Sequence, residues 1–114
     1  MRIDLDADRA EIGTDADLRL EYRGVPFTGE AVRFVGERLS AQTFYVNGVA
    51  HGPDREWWAD GRPMSDGLLE RGRPVGVWRR WYHNGRLAVE RHFDAEGDLD
   101  EVRSWDENGA PIEP

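Results

Sequence analysis

A chain of 114 residues, 39% hydrophobic and 11% aromatic, is long enough for one small domain with a core and too short for two. Five tryptophans, three tyrosines and four phenylalanines exclude a solvated disordered chain despite 33% charged residues, and the lack of cysteine excludes disulfides and thiolate metal sites, which predicts a reducing compartment, the cytoplasm. The net charge of −8 is uneven: residues 1–21 hold three bases and seven acids, 22–93 eleven and eight, and 94–114 one and eight, with every base an arginine. Clustered phosphate contacts, and with them nucleic-acid or anionic-membrane partners, are disfavoured by that balance; a basic protein partner fits it.

The N-terminal segment has no apolar run of leader length, and nowhere does the chain approach the roughly 20 apolar residues of a spanning helix, so a soluble protein is expected. Ile3, Leu5 and Ala7 alternate with Asp4, Asp6 and Asp8, and Leu18, Leu20 and Tyr22 alternate with Asp17, Arg19 and Glu21. Period-two alternation predicts capping strands over 1–21, whose outward charges discourage pairing between molecules. Asp4, Asp6 and Asp8 imitate the start of a calcium loop, but Arg9 stands where that loop needs glycine and Asp15 where it needs glutamate, so solvent-facing acids are expected instead.

From residue 22 onward the chain repeats. Gly61, Gly85 and Gly109 are spaced by 24, each after Asp or Asn, and Trp57, Trp81 and Trp105 keep the same step four residues earlier. Gly48 and Gly72, Gly52 and Gly76, and Tyr45, Leu69 and Phe93 follow the interval too, while Gly24, Gly29, Val32 and Gly36 make a degenerate first copy. The last copy is incomplete, with Glu101 near the place of its second glycine, so residues 22–114 hold about four copies. Asn-Gly and Asp-Gly favour type I′ turns, and Val77, Arg79 and Trp81 alternate with Trp78, Arg80 and Tyr82 before one of them. Glycine or proline interrupts nearly every window a helix would need, at about 1 to 3 kcal/mol each. The expected fold is therefore all-β: a single domain of tandem hairpins pairing into one extended, twisted antiparallel sheet, with Val32, Trp57, Trp81 and Trp105 as a continuous core stripe.

The stretches GVAHGPDREWWADGRPMSDGLLERG and GRPVGVWRRWYHNGRLAVERHFDAEG carry a glycine pair four apart, a W-x-x-x-[ND]-G turn and an aromatic or leucine before the next glycine. In these features residues 22–110 resemble the MORN-repeat variant family, in particular its YwqK-type bacterial antitoxin or immunity proteins, and RGVPFTG at 23–29 is similar to the usual opening of such domains. The resemblance implies a non-enzymatic protein, encoded beside a toxin, that neutralises it by direct stoichiometric binding. A MORN-type scaffold or membrane-associated module is the alternative, and a nucleic-acid binder a weaker one.

Two candidate contact surfaces follow. Trp58, Trp78 and Tyr82 fall on the opposite alternation from Trp57 and Trp81, and with Arg33 and Arg80 they would occupy an exposed sheet face, rich in residue types that dominate interface hot spots. The other is the acidic run DAEGDLDEVRSWDE, where Asp98, Asp100, Glu101 and Asp106 could steer a basic toxin. His51, His83 and His92 lack the close spacing of a local metal pair, and Ser40, Ser65 and Ser104 lie in no nucleophile elbow, so no catalytic residue, metal site or cofactor is expected.

Overall fold

The structure is a computed structural model that describes residues 1–113. Its strands are β1 (Arg2–Asp4), β2 (Ile12–Thr14), β3 (Leu20–Tyr22), β4 (Val25–Pro26), β5 (Gly29–Val35), β6 (Arg38–Val46), β7 (Val49–Trp57), β8 (Pro63–Glu70), β9 (Arg73–Trp81), β10 (Leu87–Phe93), β11 (Leu99–Trp105) and β12 (Pro111–Ile112), with one 3-10 turn at Arg9–Glu11. The fold is all-β, as the period requires, and consecutive strands from β5 to β12 pair in sequence order as hairpins of one nine-stranded sheet whose first strand is β1. Among the described residues no helix is long and apolar enough to cross a membrane.

Two turn types recur along the chain. Arg23-Gly24, Asn47-Gly48 and Arg71-Gly72 have both residues at positive φ (53°/79°, 48°/82° and 52°/81°), and each joins its strands by a two-residue turn. The Asp60-Gly61, Asn84-Gly85 and Asn108-Gly109 turns are different from the type I′ expectation. Only the glycine there has positive φ, Gly61 N–H donates to Trp58 O, and Trp58 N–H donates to Arg62 O, which is a type I turn closed by a glycine bulge. The cause is local: Asp60 Oδ1 accepts from Arg62 N–H at 3.1 Å and Asn84 Oδ1 from Arg86 N–H at 2.9 Å, bonds that tie each side chain to the backbone two residues on.

The N-terminal segment departs from simple capping. β1 lies parallel, not antiparallel, on β5, with Ile3 opposite Ala31, so the large sheet is mixed. Parallel pairing needs a crossover, and residues 5–28 supply it by folding into a separate three-stranded sheet, β2-β3-β4. Leu18, expected on a strand, sits instead at φ 63° in the turn before β3. Between the two sheets Ile3, Phe27 and Ala31 are buried against Leu5, Ile12, Leu20, Tyr22 and Tyr45. Phe27 lies tilted between Tyr22 and Tyr45, with ring centroids 6.4 and 6.2 Å away.

Beyond that end the molecule is thin, with extents of 48 × 36 × 18 Å. Val32 is buried as expected, but Trp57, Trp81 and Trp105 are only half-buried, because no second layer among the described residues covers the sheet there. Away from the N-terminal cluster and Val32, the buried apolar side chains among the described residues are Val75 and Ala88.

Candidate partner-binding surface

Register assigns the two faces of the large sheet. One row runs Val32, Gln42, Arg55, Asp66, Arg79, Glu90, Arg103 across seven strands, each residue directly opposite the next. From β7 to β11 its charges alternate in sign. Arg55 Nε lies 3.7 Å from Asp66 and Arg79 Nε 3.1 Å from Glu90. At the row's start Arg2 grips Glu30 with bonds of 2.8 and 3.2 Å, and Gln42 Nε2 also donates to Glu30. Hydrogen bonds from Arg2 and then Gln42 hold the Glu30 carboxyl below its ordinary pKa, and His92 and then Arg79 do the same for Glu90. Exposed pairs of this kind contribute about 0 to 1 kcal/mol apiece. Their larger effect is on register, since a one-residue slip would carry each charge to the opposite face. The sequence reading missed this ladder, although its members obey the same period: Arg55, Arg79 and Arg103, and Gln42, Asp66 and Glu90, each recur at 24.

The opposite face holds part of the expected contact set. Arg33, Ala41, Glu56, Ser65, Arg80, Val89 and Ser104 form a row there, and Trp78, two residues before Arg80 on β9, points the same way. Arg80 is exposed and forms no ion pair among the described residues, whereas Arg33 is tied to Asp6 at 2.9 Å. Trp78 is half-buried: its ring lies over Gly67, where a Cβ would come within 2.0 Å of it, and its Nε1 donates to Leu68 O at 3.1 Å.

Trp58 and Tyr82 lie beyond the strands. Both follow the ends of their strands and begin turns. Tyr82 donates its hydroxyl to Trp105 O at 2.7 Å, while Trp58 stands edge-on to His83 with centroids 5.8 Å apart and keeps a buried indole N–H with no partner among the described residues. His83 Nε2 is 2.6 Å from Asp60 Oδ2. The Asp60 carboxyl is held below its ordinary pKa by the Arg62 backbone N–H first and by His83 next.

A further feature of this turn row was also missed. Arg38, Arg62 and Arg86, again 24 apart, each pass a guanidinium Nη1 to a carbonyl in the following copy's turn: Asp60 O, His83 O (2.9 Å) and Asn108 O. Glycine at 61 and 109 leaves room for this, since a Cβ there would meet the arginine Nη1 at 2.9 and 2.7 Å.

The acidic residues gather at the far end. Asp98 closes the β10–β11 turn, and Asp100 and Glu101 lie on β11; all three are exposed. Asp98 and Asp100 have no ion pair among the described residues, while Glu101 accepts from Arg103 Nε at 2.8 Å. Asp106 is committed locally, its Oδ1 accepting from Asn108 and Ala110 N–H at 2.9 and 3.0 Å to shape the last turn. Comparison of the chain with known protein families, with characterised proteins and with solved structures finds no match.

Proposed function

We propose that this protein is an antitoxin or immunity protein of the MORN-variant kind, acting in the cytoplasm by stoichiometric binding to a basic cognate toxin. The observation that carries a binding role is the uncovered sheet: large apolar side chains such as Leu68, Val77, Leu99 and Val102 stand 45, 37, 51 and 44% exposed on a slab only 18 Å thick. Apolar side chains left open on a sheet with no second layer among the described residues support a binding role. The charge imbalance at 94–114 favours a cationic partner, and the period and turn motif supply the antitoxin reading through the family resemblance. Arg80 with Trp78 on one face, and Asp98, Asp100 and Glu101 at the end of the sheet, are the contacts assigned to the toxin.

The test is to express the neighbouring gene in a host cell with and without this protein. Growth arrest by the neighbour alone, rescue on co-expression and co-purification as a complex are expected. A harmless neighbour, or one that stays toxic and fails to co-purify, defeats the reading. Reversing Asp98, Asp100 and Glu101 to lysine should slow association about tenfold or more at low salt, with the difference shrinking as salt rises.

A further inference from the structure

We propose that the outer edge of β11 takes up an extended strand from the partner and that this strand is basic. The inference rests on the reading of the chain as a partner-binding protein, and it adds how the partner is held.

The two ends of the large sheet are finished differently. At one end β1 covers β5, fixed by the Arg2–Glu30 and Asp6–Arg33 pairs and by Ile3 in the core. At the other end β12 is two residues long and covers only Ser104 and Trp105, so residues 99–103 of β11 have no strand on their outer side among the described residues. All five are exposed. In an antiparallel ladder successive residues direct their backbone groups to alternate sides. Asp106 N–H bonds across to Ala110, so Ser104 and then Val102, stepping back by two, turn their N–H and C=O to the outer side. Val102 therefore offers a free donor and acceptor to an added strand.

Charge selects the occupant. Arg103 is already taken by Glu101, and Asp98 and Asp100 beside the open edge have no cation among the described residues. The edge at 98–103 carries three acids and one base, so a second copy presenting the same edge meets like net charge and self-association is disfavoured. Acidic side chains and the bulge between His92 and Phe93 also turn away neutral strands, which is how exposed edges are ordinarily protected. A strand with arginine or lysine opposite Asp100 and Glu101 converts that repulsion into attraction while backbone bonding fixes its register.

Three blocked nonapeptides test this on the full chain labelled with 15N: one alternating arginine and valine, its glutamate counterpart, and the arginine peptide N-methylated at alternate residues along its bonding edge. The arginine peptide is expected to shift the amide signals of 98–103 and to slow exchange of the Val102 amide. N-methylation should weaken it about tenfold or more, and the glutamate peptide should leave the spectrum unchanged. Val102→Pro removes the outward N–H without altering charge and should weaken the arginine peptide by a similar factor. Absence of binding, equal binding after N-methylation, or shifts elsewhere in the sheet overturn the proposal; the N-methyl arm holds even if Val102→Pro does not fold. A toxin neutralised as well by Val102→Pro as by the parent also overturns strand addition and leaves the antitoxin reading intact. A harmless neighbouring gene does the reverse: it removes the antitoxin reading and leaves the peptide result standing.

Discussion

Leu18, ahead of the repeat, occupies a backbone position that the repeat's own turns give to glycine. It closes the turn from Asp15 to Arg19 at φ 63°, with Leu18 N–H bonded to Asp15 O and Asp15 Oδ1 capping two amides, the same bonding pattern as the turn ending at Gly97. Its side chain is 82% exposed, so little packing offsets the steric cost of the left-handed conformation, roughly 1 to 2 kcal/mol for a residue with a Cβ. Leu18→Gly should therefore raise stability by up to about 1 kcal/mol after the extra entropy of glycine is subtracted. The converse Gly85→Leu, at φ 91° with open space where the Cβ would go, should lose about 1 to 2 kcal/mol. Urea midpoints at constant m measure both, and a lower midpoint for Leu18→Gly would show that strain is not what sets this turn.

At the scale of elements, the charged ladder ties stability to pH. Glu30 and Glu90 have folded pKa values below their ordinary ones, so the unfolded chain binds protons more readily. Their contribution is complete above the unfolded glutamate range, about 4.3, and is lost as pH falls through the lower folded values. A variant carrying Glu30→Gln and Glu90→Gln should melt below the parent near neutral pH and approach it as pH drops below about 4; a gap that stays constant with pH would remove the ladder from the account. The hairpins themselves were legible because glycine pairs and tryptophans at a fixed period mark strand ends directly. The parallel β1 and the separate small sheet were not, since the alternation of Ile3, Leu5 and Ala7 says neither that the strand stops at Asp4, with Leu5 and Ala7 in the turn that follows, nor which neighbour it pairs with. The candidate surface was legible in part. Alternation put Trp78, Arg33 and Arg80 on one face, but it does not extend to Trp58 and Tyr82, which follow the strand ends and begin turns. Spacing likewise could not show that Trp78 would lie down over Gly67.

For the whole molecule, apolar burial is concentrated at the N-terminal end, where two sheets face each other, and declines toward β11, whose first five residues are all exposed. In a chain of stacked hairpins stability is close to a sum of local and nearest-neighbour contributions, so this gradient should appear as a gradient of opening free energies. Native-state hydrogen exchange is expected to find the amides of β5 and β6 slowest and those of β11 fastest, with protection falling strand by strand. Equal protection at both ends would mean that the sheet opens as one cooperative unit. The same gradient places the proposed strand-accepting edge where the backbone is least constrained by its own fold.

The arginines at 38, 62 and 86 give this architecture a unit of length. Because each guanidinium closes on a carbonyl belonging to the following copy, inserting one whole 24-residue segment leaves every arginine facing such a carbonyl. An insertion of any other size strands one of them over a side chain or open water. The sheet can thus lengthen or shorten only in whole steps, each of them one duplicated segment added or removed rather than a change of fold.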